Sequence, residues 1–397
     1  MIKFDFKTFN TVTRDNTYNQ QIHDIRKIFE SKSDNLGWYN VDKCISSKEI
    51  EKIKKVGNYI RKNTDIFIVI GTSPAYLNSQ AIISLFQKKY ESNKPEIIYV
   101  GNNLSALDLR EILTYIQDKE IVLNVISTSG NTIETNLMFD VFYDLMEAKY
   151  ENKELKKRII VTTDSKDGRL RKLVKENGFV SFPTKKNVPE RYAIATTIGL
   201  LPMCVAGVDI DKFLEGYKDG QKYLDKAYIY AVLRDIMYHQ GRKVEIFTSY
   251  EPRLEKFLKY LQMLFGQSQG KKNAGILPMK AINTDYTNII GQYLTQGDTI
   301  TFETVIAVIN TQDIEINEKS LSKINHLAML NYLKSHQNHT PGNIISISKI
   351  NEKNIGELVY YFLVSSAIGS YLMDVNPYDD NGLNKYKKSL IESIGEL

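Results

Sequence analysis

The stretch that most restricts this chain runs from Ile121 to Tyr150. Ile121-Val-Leu-Asn-Val-Ile126 is short, apolar and rich in β-branched residues, which predicts a buried strand. From Ile133 to Tyr150, Leu137, Met138, Phe142, Leu145 and Met146 recur at helical spacing. Ser127, Ser129 and Thr132 therefore fall on a strand-to-helix turn. One hydroxyl is enough to cap a helix. Three of them, with the unbonded N–H groups and the positive end of the helix dipole, make a socket for a phosphate. The spacing favours the socket over plain capping.

The same unit recurs on either side. Asp65–Ile70 predicts a strand, followed by a helix over Tyr76–Tyr90. Glu96–Val100 is a second strand, with Leu107–Gln117 as its helix. Arg158–Thr163 and Val180–Phe182 are strands after the 121–126 unit. Such alternation implies a parallel sheet covered on both faces. Ligands in these sheets sit beyond the carboxyl ends of the strands, where Ser127–Thr132 lies. Pro189 interrupts the pattern. Ala193–Val208 reads as one long helix, and Asp211–Gln240 as helical throughout. A second block follows, with strands at Lys243–Phe247, Gly275–Met279, Phe302–Ile309 and Asn343–Ile347. Leu358–Met373 and Leu383–Leu397 read as helices. The predicted plan is an N-terminal extension over 1–50, a first αβα domain over 51–190 with the phosphate loop, and a helical connection over 191–240. A second αβα domain over 241–375 and a C-terminal helix over 376–397 complete it.

A chain of 397 residues exceeds one ordinary core, which agrees with two domains. A hydrophobic share of 42% and a charged share of 25% are those of a globular protein. The net charge of +5 comes without a basic stripe, so neither nucleic acid nor a membrane is an expected partner, while anionic small molecules are. No run approaches eighteen apolar residues and no signal peptide is evident. Cys44 and Cys204 are isolated, which suits a reducing cytoplasm better than a disulfide framework.

Strand, then Ser127-Thr-Ser-Gly-Asn-Thr-Ile-Glu134, then helix resembles the phosphate loop of the phosphoglucose isomerase family. Leu36-Gly-Trp38, Tyr99-Val-Gly-Asn-Asn103, Thr162-Thr-Asp164 and Arg191-Tyr192 match the short bacterial form in order. So do Gly199-Leu-Leu-Pro202, Tyr250-Glu-Pro252, Leu264-Phe-Gly266, Gly291-Gln-Tyr293, Phe302-Glu-Thr304 and Val375-Asn-Pro377. The resemblance covers nearly the whole chain. It implies two sugar-isomerase-type (SIS) αβα domains, a homodimer, a hexose phosphate ligand, and exchange of glucose 6-phosphate with fructose 6-phosphate. That exchange opens the ring and moves a proton between C1 and C2 through an enediolate. It needs a held phosphate, fixed positive charge or donors near the enediolate, and a base of tuned pKa. It requires neither metal nor organic cofactor.

The chain departs from the family where the chemistry lies. The family's G-x-G-G-S turn is Gly71-Thr-Ser-Pro-Ala75 here, and proline removes a donor. The basic residue after the first serine of the loop is Thr128. G-G-R is Pro189-Glu190-Arg191, so only the arginine is kept. The base of E-S-x-G-K is Gln267, whose amide has no useful basicity. The ring-opening histidine before G-Q-Y falls at Asn288, or at Thr287 with a one-residue shift. F-D-Q-x-G-V-E-x-x-K becomes Tyr378-Asp-Asp-Asn-Gly-Leu-Asn-Lys-Tyr-Lys387. Lys387 is retained, and Asp380 replaces the glutamine. Arg191 reads as an anion ligand or a structural ion-pair partner; Lys387 as a ring-opening group or a solvated lysine. Asp164, at a strand end, contacts ligand or caps its turn. Asp380, Asp285 and Glu251 are candidate substitutes for the missing base. His336 and His339 read as surface histidines of a polar loop rather than a metal pair.

Overall fold

The computed structural model describes residues 1–6, 17–31, 34–88, 90–91 and 94–395. Its strands are β1 (Ile2–Asp5), β2 (Ile66–Ile70), β3 (Glu96–Val100), β4 (Ile121–Ser127), β5 (Ile159–Thr163) and β6 (Val180–Pro183). They continue with β7 (Val244–Ser249), β8 (Leu277–Ile282), β9 (Thr301–Val308), β10 (Glu315–Ile316), β11 (Lys319–Ser320) and β12 (Gly342–Ile347). The chain divides into two compact units, neither contiguous. One comprises residues 34–210 with 383–397, the other residues 1–33 with 211–382.

In the 34–210 unit the sheet order is β3-β2-β4-β5-β6, parallel throughout. Every residue of β2, β4 and β5 is buried. Alternate residues face opposite sides of a strand. Ile66, Ile68, Ile70, Leu123, Val125, Ile159 and Val161 share one face, under Met138, Phe139, Phe142 and Met146 of the Ile133–Lys149 helix. Each such buried side chain contributes about 1.5–3 kcal/mol. The Ser73–Phe86 helix packs against β4 and against the Thr197–Val205 helix, all of whose residues are buried.

In the 211–382 unit the order is β1-β12-β9-β7-β8. All pairs are parallel except β1, which lies antiparallel on β12 with Ile2 opposite Ile347. The Glu352–Leu372 helix is buried from Asn354 to Ser370 and packs on the Leu224–His239 and Glu255–Gln269 helices. It is long and apolar enough to cross a membrane, although no unbroken apolar run in the sequence suggests it, but 89% of its most apolar window is buried inside the protein. It is a core helix.

Several local expectations are corrected. The helix expected over Tyr76–Tyr90 spans Ser73–Phe86, because Pro74 is preorganised for a first helical turn. The helix expected over Ala193–Val208 is a 3-10 turn, Glu190–Ala195, followed by Thr197–Val205. Thr196 between them is extended and caps the second with its hydroxyl. The 1–50 segment opens with a strand; alternation of Ile2 and Phe4 with Lys3 and Asp5 was too short a signal. His336 is not a surface residue. It is buried, with Nε2 2.9 Å from Glu303 Oε2. His339 is half-buried against the Gly297 carbonyl.

Candidate functional site

β2 is flanked by the two strands that follow it, β3 on one side and β4 on the other. The crevice at the carboxyl ends of β2 and β4 is thus the topological switch point of this sheet, where open α/β sheets bind ligands. Ser127 ends β4 and is buried; Thr132 is half-buried and Ser129 exposed. Thr132 holds the N-cap position of the Ile133–Lys149 helix but makes no capping bond. Its Oγ1 lies 2.9 Å from Ser127 Oγ instead. The Gly130 N–H donates to Ser127 Oγ at 3.1 Å, and the Asn131 N–H to Ser129 Oγ at 3.2 Å. The loop is folded on its own hydroxyls, and its N-cap side chain leaves the first-turn N–H groups of Ile133, Glu134 and Thr135 uncapped.

On the other side of the crevice, Gly71 closes β2 and Thr72 precedes the Ser73–Phe86 helix without capping it. Asn78 of this helix donates to the Glu190 carbonyl at 2.8 Å, which anchors the 3-10 turn carrying Arg191. Arg191 is buried. Its neighbour Tyr192 packs on Trp38 with ring centroids 4.8 Å apart, and the Gly37 N–H donates to the Asn187 carbonyl at 2.9 Å. Two separate sequence motifs, Leu36–Trp38 and Arg191-Tyr192, thereby meet. Asp164 caps the turn after β5: its carboxylate accepts from the Lys166 and Asp167 N–H groups, which hold it below the usual carboxylate range. Lys387 is half-buried on the Asn384–Gly395 helix.

The remaining candidates belong to the other unit. Gln267 is half-buried in the last turn of the Glu255–Gln269 helix. Two residues on, Gln269 is fully buried, and its Oε1 accepts from Arg234 at 3.0 Å. Arg234 Nε lies 2.7 Å from Glu245 Oε2, both side chains fully buried. Tyr230 and Thr304 donate to Glu245 Oε1 at 2.5 and 2.7 Å. After Gly270, Lys271 Nζ donates to the carbonyls of Asn376 and Asp379 and pairs with Asp379 Oδ1 at 3.0 Å. The 267–271 and 375–380 segments are thus joined.

Asp380 follows that pair and is exposed, as are Asp285 and Asn288 on the Asp285–Gln296 helix. Glu251 is half-buried and accepts from the Arg253 N–H at 3.2 Å. It lines a small cleft with Tyr250, Asn325 and His326 at the ends of β7 and β9. Sequence reasoning missed the Arg234–Glu245–Gln269 network; Glu245, a lone carboxylate within an apolar strand, was its signal. Among the described residues no group of three His, Cys, Asp or Glu side chains is placed to hold a metal.

Residues 47–318 match the family model of phosphoglucose isomerase. A glucose-6-phosphate isomerase of Caldanaerobacter subterraneus subsp. tengcongensis is 36% identical over 389 residues, covering 91% of this chain and 86% of that protein. The chain belongs to the phosphoglucose isomerase family. Two crystal structures share the fold. A hypothetical protein from Thermus thermophilus superposes with a TM-score of 0.86 at 19% identity, over 99% of this chain and 100% of that one. A glucose-6-phosphate isomerase from Chlamydia trachomatis gives 0.78 at 16%, over 88% and 73%. As a member of this family the chain has the α/β architecture of sugar-phosphate isomerases, with largely parallel sheets, a helix (Thr17–Ser31) after the opening strand and another at the C-terminal end.

Proposed function

We propose that this protein binds a hexose 6-phosphate through Ser127, Ser129 and Thr132, and that it interconverts glucose 6-phosphate and fructose 6-phosphate slowly or not at all. The binding half rests on one observation. The Thr132 hydroxyl turns to Ser127 and not to the helix N-terminus. A plain cap would do the reverse. The first-turn N–H groups, left uncapped by Thr132, and the hydroxyls of this turn lie at the end of the helix where an anion gains most from the dipole.

The catalytic half rests on Gln267 and Asn288. A neutral amide at the family's base position neither takes up nor returns the carbon-bound proton, and Asn288 is no proton shuttle. Asp380, Asp285 and Glu251 are the carboxylates that could replace the base. Arg191 and Lys387, kept at their family positions, are proposed to supply positive charge to substrate and ring opening. Gln267 also favours a second reading, a non-catalytic sugar-phosphate sensor or partner.

The family's homodimer is proposed here as well. Leu321, Ile324, Leu327 and Leu330 are exposed on one helix, beside Ile314 and Ile316 of the β10–β11 hairpin. Exposed apolar side chains on this helix and hairpin are surface that a partner subunit would cover. Calorimetry with glucose 6-phosphate and a coupled isomerase assay on the purified protein test the main reading. Failure to bind would remove the first half, and family-like turnover the second.

A further inference from the structure

We propose that the turn Asp164–Arg169 is a positioning element for the phosphate socket, an inference that rests on the binding reading above. β5 ends at Thr163, in register with Ser127. Asp164 Oδ1 then accepts from the Lys166 N–H at 2.7 Å and the Asp167 N–H at 3.1 Å, closing a tight turn. That turn delivers Gly168 against Gly130, both with positive φ, at +96° and +70°. A Cβ on Gly168 would sit 2.4 Å from the Ser129 carbonyl oxygen and 3.1 Å from Gly130 Cα. The two loops touch backbone to backbone, and only glycine allows both the approach and the conformation.

Hydrogen bonds complete the hold. The Arg169 N–H donates to Asn131 Oδ1 at 3.0 Å and the Leu170 N–H to the Gly130 carbonyl at 3.3 Å. The Arg169 guanidinium bonds Asn136 Oδ1 at 3.1 Å and Asp140 Oδ1 at 2.6 Å, while Asn136 Nδ2 donates to the Thr132 carbonyl at 3.0 Å. The hydroxyl loop from Ser129 to Thr132 is thus clamped from outside by groups that need not touch the ligand. Flexible hydroxyls would lose freedom on binding; a clamped loop has lost it already, and affinity rises accordingly. Asp164 and Gly168 are positioning residues on this view. With Ser73, Pro74 and Ala75 standing where the family has its glycine turn, the socket depends on them all the more.

The test measures dissociation constants of inorganic phosphate and glucose 6-phosphate on the full chain by calorimetry. The variants are Ser129→Ala, Gly168→Ala, Asp164→Ala and Asp164→Asn. Both Asp164 variants remove the same charge, and only alanine removes the acceptor that closes the turn. Asp164→Ala should bind both ligands about fivefold or more weakly than Asp164→Asn, and Gly168→Ala should be weaker still. Should Gly168→Ala fail to fold, the Asp164 pair decides. If the two Asp164 variants agree within about twofold while Ser129→Ala loses affinity, the positioning role is overturned and the socket stands. If the wild type binds neither ligand, or Ser129→Ala binds as the wild type does, socket and positioning role fall together.

Discussion

Ser127 Oγ and Thr132 Oγ1 lie 2.9 Å apart, joining the end of β4 to the start of the helix that follows. Ser127 is buried and Thr132 half-buried, so Ser129, exposed in the loop, is the hydroxyl most accessible to a ligand. Ser129→Ala should therefore weaken hexose-phosphate binding by about 1.5–3 kcal/mol, the range for a hydrogen bond to a charged group. Calorimetry at fixed ionic strength measures it. Equal affinity before and after the change would return the loop to plain capping.

The Arg234–Glu245 pair sets a different expectation. Arg234 bonds Glu245 through Nε and Gln269 through Nη1, and its guanidinium lies 4.3 Å from the Phe265 ring centroid. Removing one member of a buried pair leaves a charge without compensation and costs about 3–5 kcal/mol. Arg234→Met should show that loss in urea unfolding. Arg234→Lys should not restore it, since an ammonium lacks the planar fork that reaches both partners. Wild-type stability in either variant would mean that Glu245 finds its compensation elsewhere.

Cys44 is fully buried, and burial pushes its thiol pKa up to about 12. The thiolate is the nucleophile, and at about pH 8 almost none exists at such a pKa. Cys44 should stay unlabelled by thiol reagents in the native protein at about that pH and react at once in denaturant. Labelling by mass spectrometry, residue by residue, checks this. Rapid native modification of Cys44 would show that the segment around Val41–Cys44 opens readily.

Much of this architecture was legible in residue pattern. β2, β4 and β5 are fully buried strands, and their continuous β-branched runs announced them. The hydroxyl turn at Ser127–Thr132 was equally plain, because helix periodicity begins directly after it. What escaped depended on partners distant in sequence. β1 has four residues, and only its pairing with β12 makes it a strand. His336 sits in a polar run, yet Glu303, far earlier in the chain, draws it inside. Lys271 matched a family motif, but nothing local told that it would be tied to Asn376 and Asp379. Gly168 carried no signal of its own; its role lies in the backbone of Gly130 that rests against it.

The last expectation concerns turnover. General acid–base catalysis contributes typically about 10²–10⁴-fold, and neither Gln267 nor Asn288 can supply it. Isomerisation of fructose 6-phosphate, followed in a coupled assay in a host background free of other isomerases, should be slow or absent. Gln267 lies in the last turn of a helix whose end is fixed by the buried Gln269 and by Lys271. A glutamate there would be held where the helix now holds the amide, so Gln267→Glu with Asn288→His should raise turnover. The Gly71–Ala75 turn also departs from the family pattern, so the unmodified protein decides. Robust wild-type turnover, abolished by removing the carboxylate of Asp380, Asp285 or Glu251, would identify a substitute base and overturn the impaired-isomerase reading.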